Sequence, residues 1–280
     1  MDLASPLPLG LEAGRHRAAR GVVSAVFLLG WAACQIPSVA RGEIVAGAQF
    51  ASPQPAPARH VAEPAVLRVV GRHFVGPDDR VVLLRGVNLG GDGKLPPFPT
   101  PDDPVLLDRL TELGFNAIRL PFIWEAYEPE PGLYDEAYLA RLVAVAARAW
   151  TRGLYVIVDV HQDGFARTLC YGCGAGFPLW AVSPRATPHP SDHGRRCKRW
   201  PLLELIDPGV YRSFADFYAD AYGVRTRYLA MLRRVAEAFA TVPGVVGYDP
   251  LNEPWGDERW EIAPLYRAAA ALRAGQCCHW

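Results

Sequence analysis

The 280-residue sequence has no excess of charge of either sign, because 29 basic residues balance 29 acidic ones. Without a net field, neither nucleic acid nor an anionic membrane is favoured as a partner, and a neutral substrate suits the chain better. Half of the residues are hydrophobic and 21% are charged, which is not the composition of a disordered protein. A folded protein with one large core or two ordinary domains is expected.

A long hydrophobic run is missing near the N-terminus, where residues 22–33 are apolar but too few to cross a bilayer comfortably. Three arginines precede this run, and small side chains at residues 38–40 suit a signal peptidase, which predicts a secretory signal in residues 1–40. The alternatives, in order, are lipidation of Cys34, an uncleaved membrane anchor and an overextended start codon. Residues 41–64, rich in Pro and Ala, then form an extended linker. The predicted location is secreted or cell-envelope.

A nucleotide-binding fingerprint is missing as well. The glycine-rich residues 172–176 follow no predicted strand and open no predicted helix. Residues 90–94 lack both the Ser or Thr and the spacing of a phosphate-binding loop. Both segments are interpreted as flexible loops, so a doubly wound nucleotide-binding sheet is disfavoured and no cofactor is implied.

From residue 65 onward, β-branched runs alternate with amphipathic stretches. This alternation predicts a parallel α/β sheet after an N-terminal hairpin. Four strand–helix units fit in residues 65–280, so the predicted fold is a (β/α)8 TIM barrel present as about its first four units. The predicted elements are a hairpin of residues 66–70 and 81–87, strands at 116–121, 154–160 and 245–249, helices at 104–113, 135–152, 210–240 with a break near Gly223, and from 263, and a polar insertion at 162–208.

Polar or aromatic residues follow the end of every predicted barrel strand. Asn88 ends the first strand, Arg119 lies near the end of the second, residues 159–163 end the third and residues 252–253 follow the fourth. Barrel enzymes build their sites from the C-terminal ends of the strands, so these side chains are expected in one cleft. The distribution favours an active site over coincidence.

Four motifs at these strand ends resemble, in the right order, the strand motifs of glycoside hydrolase family 5. They are Leu-Arg-Gly-Val-Asn-Leu-Gly at residues 84–90, Gly-Phe-Asn-Ala-Ile-Arg-Leu-Pro at 114–121, Asp-Val-His-Gln-Asp at 159–163 and Leu-Asn-Glu-Pro at 251–254. Together the motifs are specific, and the resemblance covers residues 67–273. Residues 94–97 and 161–164 are similar to the branch that contains endoglycoceramidases and fungal glycolipid β-glucosidases.

The resemblance implies a retaining glycosidase with two glutamates about 5 Å apart, acting on β-glucosides, with glycolipids or polysaccharides as options. Glu253 matches the acid/base, which has to carry its proton near neutral pH and is expected in an apolar or anionic neighbourhood. Asn252 matches the residue that hydrogen-bonds the sugar 2-hydroxyl. Arg119 matches the guanidinium that keeps the nucleophile ionised, and His161 matches the imidazole that lines the sugar subsite.

Four further residues are candidates for substrate binding. Trp124 and Trp255 would stack on sugar faces, and Trp255 is favoured because the turn before it exposes it. Lys94 belongs to the motif of the glycolipid branch, and Asp163 either binds a hydroxyl or caps its loop. Structural alternatives remain for four candidates: an ion pair for Arg119, a core position for His161, and core packing for Trp124 and Trp255.

The nucleophilic glutamate of the family lies on its seventh strand, which the predicted elements do not include. No acidic residue near the predicted strands is a credible substitute; those considered are Glu125, Glu128, Asp159, Asp249 and Glu258. The hypothesis from the sequence is an incomplete gene product that lacks turnover on its own. The alternative is a non-catalytic remnant that binds a carbohydrate or a glycolipid through the surviving subsite.

Cysteines and histidines of the predicted insertion have a spacing that suits either a structural zinc site or a disulfide. The candidate ligands are Cys170, Cys173, His189, His193 and Cys197. An exported chain forms disulfides readily, and the Pro- and Gly-rich run between the cysteines is typical of a loop held by one. A disulfide, with Cys173 and Cys197 as the proposed pair, is favoured over zinc, and neither is expected to be catalytic.

Overall fold

The structure, a computed structural model, describes residues 64–195, 197 and 200–272. The predicted signal in residues 1–40 and nearly all of the predicted linker lie outside the described residues. Within the described ranges, no helix combines the length and the hydropathy that a membrane crossing needs.

A small antiparallel sheet comes first in the chain. It consists of β1 (Arg68–Val70), β2 (His73–Val75) and β3 (Val81–Val82), adjacent in that order. β1 and β2 are joined by a tight turn at Gly71, whose φ of 62° is accessible to glycine without steric cost. The prediction that residues 66–70 and 81–87 pair as a hairpin is therefore wrong, because the turn at Gly71 places β2 between β1 and β3.

Four parallel strands form the main sheet, and their spatial order is the order of the chain. They are β4 (Gly86–Asn88), β5 (Ala117–Phe122), β6 (Tyr155–Val160) and β7 (Val245–Asp249). The predicted positions of β5, β6 and β7 are confirmed to within one residue at each end, whereas β4 occupies only the end of the run predicted at residues 81–87. Sequential parallel neighbours joined by helices are the arrangement found in a (β/α) barrel.

Helices connect these strands, and several begin at the side chains expected to cap them. Asp103 accepts a hydrogen bond from the Val105 N–H at 2.9 Å, and Asp135 accepts one from the Tyr138 N–H at 2.8 Å. The helices are α1 (Pro104–Glu112), α2 (Trp124–Tyr127), α3 (Glu136–Trp150), α4 (Trp200–Ile206), α5 (Pro208–Tyr218), α6 (Val224–Phe239) and α7 (Ala263–Ala271).

The predicted polar insertion after β6 contains a helix that the sequence analysis did not predict. Helix α4 has only seven residues, with a proline at its second position and an almost uninterrupted apolar run. Such a run carries no helical periodicity, so the pattern could not distinguish it from a loop. The predicted break near Gly223 is confirmed, since α5 ends before it and α6 begins after it.

The core lies between the main sheet and the helices that cover it. Its densest part is an aromatic cluster behind β5, in which the Trp124 ring lies 5.0–5.3 Å from the rings of Phe177, Trp180 and Tyr228. The buried Trp124 indole N–H donates to Glu128 Oε2 at 2.8 Å. Large aromatic side chains packed edge to face in this way give the strand ends a rigid base.

Candidate active site

The strand register brings the predicted site residues to one edge of the sheet. Asn88 on β4 is aligned with Arg119 on β5, and Asp159 on β6 is aligned with Asp249 on β7. The loops that follow β6 and β7 carry His161 and the Asn-Glu pair. The expected convergence of the strand ends is therefore observed for β5, β6 and β7.

Arg119 joins the last three strands through its guanidinium. Nη1 lies 2.7 Å from Asp159 Oδ2, and Nη2 contacts both Asp249 Oδ2 and Asn252 Oδ1, the latter at 2.8 Å. The arginine side chain is 23% exposed and Asp159 only 2%. The ion pair considered as a structural role for Arg119 is therefore present. The same guanidinium also holds Asn252, the predicted ligand of the sugar.

His161 continues this network toward the opposite side. Its Nδ1 lies 2.7 Å from Asp159 Oδ2 and its Nε2 lies 3.3 Å from Asp163 Oδ2, while Lys94 Nζ donates to Asp163 at 3.0 Å. Burial alone lowers the pKa of His161, but the hydrogen bond to Asp159 and the close carboxyl group of Asp163 outweigh burial and raise it. Burial opposes ionisation of Asp163, yet the contacts with His161 and Lys94 hold its pKa below the usual value. The geometry favours a charged imidazolium between carboxylates.

The raised pKa of His161 predicts that the fold loses stability as the pH rises. Protonation of His161 stabilises the folded state fully below the unfolded pKa of about 6.5, and this contribution disappears as the pH passes the raised folded value. We expect the melting temperature to fall more in the wild type than in His161→Gln between about pH 6 and pH 9. His193→Gln, which alters a solvent-exposed histidine, serves as the control and keeps the wild-type slope. Parallel slopes in the wild type and His161→Gln would contradict the assignment.

Asn252 and Glu253 follow β7 in different environments. Asn252 is 6% exposed, and its Nδ2 donates to the Gln162 carbonyl at 3.0 Å. Glu253 is exposed and has a φ of 42°, so its side chain projects from a left-handed turn at the rim. Burial raises the pKa of the nearby Glu204, and the charges of Asp163 and Glu253 add to this effect. Glu204 is therefore an acidic neighbour of Glu253, and the acid/base role of Glu253 remains a prediction.

The two tryptophans predicted to stack on sugar faces, Trp124 and Trp255, lie in different environments. Trp124 is 1% exposed and lies inside the aromatic cluster, so the prediction that it stacks on a sugar is wrong. It follows β5 at the first position of α2, which turns its side chain into the core and away from the cleft. Trp255 is partly buried, packs edge-on against Tyr211 at 5.1 Å and lines a cavity that also contains Glu261. Its role in ligand contact remains a prediction.

Four of the five acidic residues rejected as substitute nucleophiles have other partners. Glu125 accepts two hydrogen bonds from Arg167 Nε at 2.7 and 2.9 Å, and Glu128 accepts the Trp124 indole N–H. Asp159 and Asp249 hold Arg119. The described residues contribute four strands to the parallel sheet, so the seventh strand of the family is not among them.

The cysteines of the insertion form the proposed disulfide. Cys173 and Cys197 are bonded to each other, whereas Cys170 is a buried free thiol. The zinc alternative is wrong, because a disulfide leaves two of its proposed ligands without a thiolate. His189 is committed elsewhere, with its Nε2 2.7 Å from Asp207 Oδ2, and His193 is exposed.

The sequence analysis missed three residues that shape this site. Asp249 was considered only as a nucleophile, although it anchors Arg119. Gln162 and Glu204 received no role, and both are buried against the loops that carry the predicted catalytic residues. Their signal in the sequence is weak, since their partners lie about 40 to 90 positions away.

Comparison with known proteins identifies the family of this chain. Residues 83–275 match the model of the cellulase family, described as glycosyl hydrolase family 5. Endoglycoceramidase I of Rhodococcus hoagii is 35% identical over 199 residues, covering 69% of this chain and 38% of that protein. A glucosylceramidase of Aspergillus fumigatus is 34% identical over 141 residues, covering 41% of this chain and 18% of that protein.

Solved structures give the same result for the fold. Endo-glycoceramidase II from Rhodococcus sp. superposes with a TM-score of 0.64 at 30% identity, covering 75% of this chain and 50% of that one. The chain thus spans about half the length of this structural relative and 38% or less of the two sequence relatives. The four parallel strands correspond to part of a (β/α)8 barrel. On the family match and the shared fold, this chain belongs to glycoside hydrolase family 5.

Proposed function

We propose that this protein is a retaining β-glycosidase in which Glu253 is the acid/base. The observation that carries the proposal is the continuous polar network from Lys94 to Asn252, which ends beside Glu253 at the C-terminal edge of the sheet. Burying such a network is costly, and perturbed charged groups of this kind cluster at functional sites. Its position matches the place where barrel enzymes bind substrates.

Each member of the network suits a step of glycoside hydrolysis. Glu253 is exposed at the rim, where it can protonate the departing oxygen of the aglycone. Asn252 is held by Arg119 and can present its amide to the sugar 2-hydroxyl, a contact that strengthens as the oxocarbenium ion forms. Lys94 and Asp163 can bind other hydroxyls of the same ring. The attacking carboxylate would come from a strand outside the described residues.

A cavity lined by Trp255, two residues after the proposed acid/base, supports a glycolipid as the substrate. Its volume is about 480 Å³, and its aromatic walls include Tyr211, Phe214, Tyr218 and Trp255. Among the described residues, the buried Tyr218 hydroxyl has no hydrogen-bond partner, so one polar group of a ligand can be satisfied there. Several relatives are named for enzymes that act on ceramide glycosides. We infer that the cavity receives the apolar aglycone.

This inference is tested by the affinity for alkyl β-glucosides of different chain lengths. Hexyl β-glucoside is expected to bind at least about tenfold more tightly than methyl β-glucoside, because each buried methylene contributes about 0.8 kcal/mol. Trp255→Ala should remove most of that difference. Trp260→Ala is the matched control, since Trp260 is 70% exposed and does not line the cavity. Calorimetry measures both affinities, and equal binding of the two glucosides would contradict the apolar aglycone.

The same titrations separate catalysis from binding alone. Product analysis by NMR would show release of the aglycone with retention of the anomeric configuration if the chain is catalytic. Binding without release, even when the later barrel strands of a relative are supplied, would favour the non-catalytic alternative. Failure to bind either glucoside would overturn the proposed function.

A further inference from the structure

Four consecutive backbone carbonyls lead to Glu253, and each accepts a hydrogen bond from a buried or partly buried side chain. The donors come from three separate elements, namely α6, α7 and the loop after β6. They are Tyr228 to the carbonyl of residue 250 at 2.6 Å, Tyr266 to residue 251 at 3.1 Å, and Gln162 to residues 252 and 253 at 2.8 and 3.0 Å. Each backbone carbonyl of residues 250–253 is therefore held by a side chain from another part of the chain.

Gln162 holds the last two of these carbonyls and is itself fixed in orientation. It is 1% exposed, and its Oε1 accepts a hydrogen bond from the Phe165 N–H at 2.7 Å. Because a backbone N–H requires an acceptor, the amide oxygen has to face Phe165, and Nε2 then faces the carbonyls of Asn252 and Glu253. The contact is reciprocal, since Asn252 Nδ2 donates to the Gln162 carbonyl at 3.0 Å.

Glu253 needs such support because of its backbone conformation. Its φ of 42° lies in the left-handed region, which is sterically unfavourable for a residue with a Cβ and persists only where the surroundings enforce it. The neighbouring peptide bonds have to remain in one orientation for the carboxyl group to point into the cleft. With water excluded from Gln162, nothing replaces its two hydrogen bonds when they are lost.

We propose that Gln162 is the positioning residue of the acid/base: its amide holds the carbonyls of Asn252 and Glu253, so that the Glu253 carboxyl group meets the glycosidic oxygen. Gln162 does not touch the substrate in this assignment. The inference rests on the proposed function, because it assumes that Glu253 donates to a glycoside.

Two ligands isolate the contribution of Glu253 in the full-length chain without requiring turnover. One is a glucose-fused imidazole, whose ring nitrogen stands in the position of the glycosidic oxygen and accepts a proton from an acid in the sugar plane. The other is 1-deoxyglucose, which has no atom in that position. The ratio of the two affinities measures the position of the acid/base, and Glu253→Gln should reduce this ratio sharply.

Gln162→Met is expected to lower the affinity for the imidazole about tenfold and to leave that for 1-deoxyglucose within about twofold, as the loss of buried hydrogen bonds at one group implies. Ser183→Ala is the control for a buried hydrogen bond lost elsewhere, since Ser183 donates to Asp216 at 2.6 Å, and it should keep the ratio. Gln162→Glu adds a pH test. Its new carboxyl group can donate only when protonated, and burial raises its pKa above the ordinary value of about 4.3. The ratio, taken relative to the wild type at the same pH so that protonation of the imidazole cancels, should therefore recover as the pH falls.

The outcomes distinguish the two levels of the proposal. A wild-type ratio that Glu253→Gln does not change would overturn the acid/base assignment and the proposed function with it. A ratio that depends on Glu253 but survives Gln162→Met, or a parallel loss of both ligands, would overturn the positioning role alone. A Gln162→Glu variant whose ratio does not depend on pH would also count against it.

Discussion

Replacing Glu253 by glutamine is expected to lower the hydrolysis of an alkyl β-glucoside about 10²- to 10⁴-fold, the usual contribution of a positioned general acid. The amide retains the shape of the side chain but cannot supply the proton that an alkoxide leaving group requires. Glycosides with strongly acidic phenols as leaving groups should lose less, because their departure needs little protonation. Binding of 1-deoxyglucose should stay within about twofold, since it makes no contact that depends on the proton.

The measurement needs a second carboxylate, and the four described strands do not include the strand that carries it in the family. Turnover is therefore measured in the chain alone and in a fusion protein in which the later strands come from the Rhodococcus hoagii relative. We expect turnover in the fusion and none in the chain alone. Glu258→Gln, at an exposed position outside the network, is the control. An undiminished rate with Glu253→Gln in the fusion would remove the acid/base assignment.

Replacing Arg119 by methionine is expected to reduce the free energy of unfolding by about 3–5 kcal/mol, the range found when one partner of a buried ion pair is removed. The substitution leaves Asp159, which is 2% exposed, without its guanidinium, and Asp249 without its contact. Methionine fills a similar volume, so the loss is chiefly electrostatic. Urea unfolding with an unchanged m-value measures the effect.

Two further variants make the Arg119 prediction specific. Arg109→Met removes a surface pair with Glu112 in which both side chains are more than 60% exposed, and it should cost less than about 1 kcal/mol. Asp249→Asn, added to Arg119→Met, should recover part of the loss because it removes a carboxylate left without a partner. A cost below about 1 kcal/mol for Arg119→Met would show that the strand ends do not depend on this network.

The strands of the main sheet were predictable because their signal is local. Residues 154–160 and 245–249 are short apolar runs bounded by glycine, and a buried parallel strand has that pattern. The hairpin was mispredicted because the pairing of short strands depends on which turn closes first, and several turn signals lie between the two runs. Helix α4 escaped prediction because its apolar residues lack the spacing of an amphipathic helix.

The site residues were predictable where a motif marks the end of a strand. They were less predictable where their role depends on side-chain direction or on partners distant in the sequence. Arg119, His161, Asn252 and Lys94 meet as the motifs indicate. Trp124 was misassigned because position after a strand does not tell whether the next turn sends a side chain into the cleft or into the core. Gln162 was overlooked because a neutral amide has no charge signature and its partners are about 90 residues away.

The series of anchored carbonyls before Glu253 has a consequence for protein engineering. The backbone that carries the proposed acid/base is held by two tyrosines and one glutamine that lie on three other segments of the chain. Moving the Leu-Asn-Glu-Pro motif and β7 to another scaffold would transfer Glu253 without the side chains that hold its backbone. On the positioning role proposed for Gln162, we expect a functional graft to need the matching donors of α6, α7 and the loop after β6 as well.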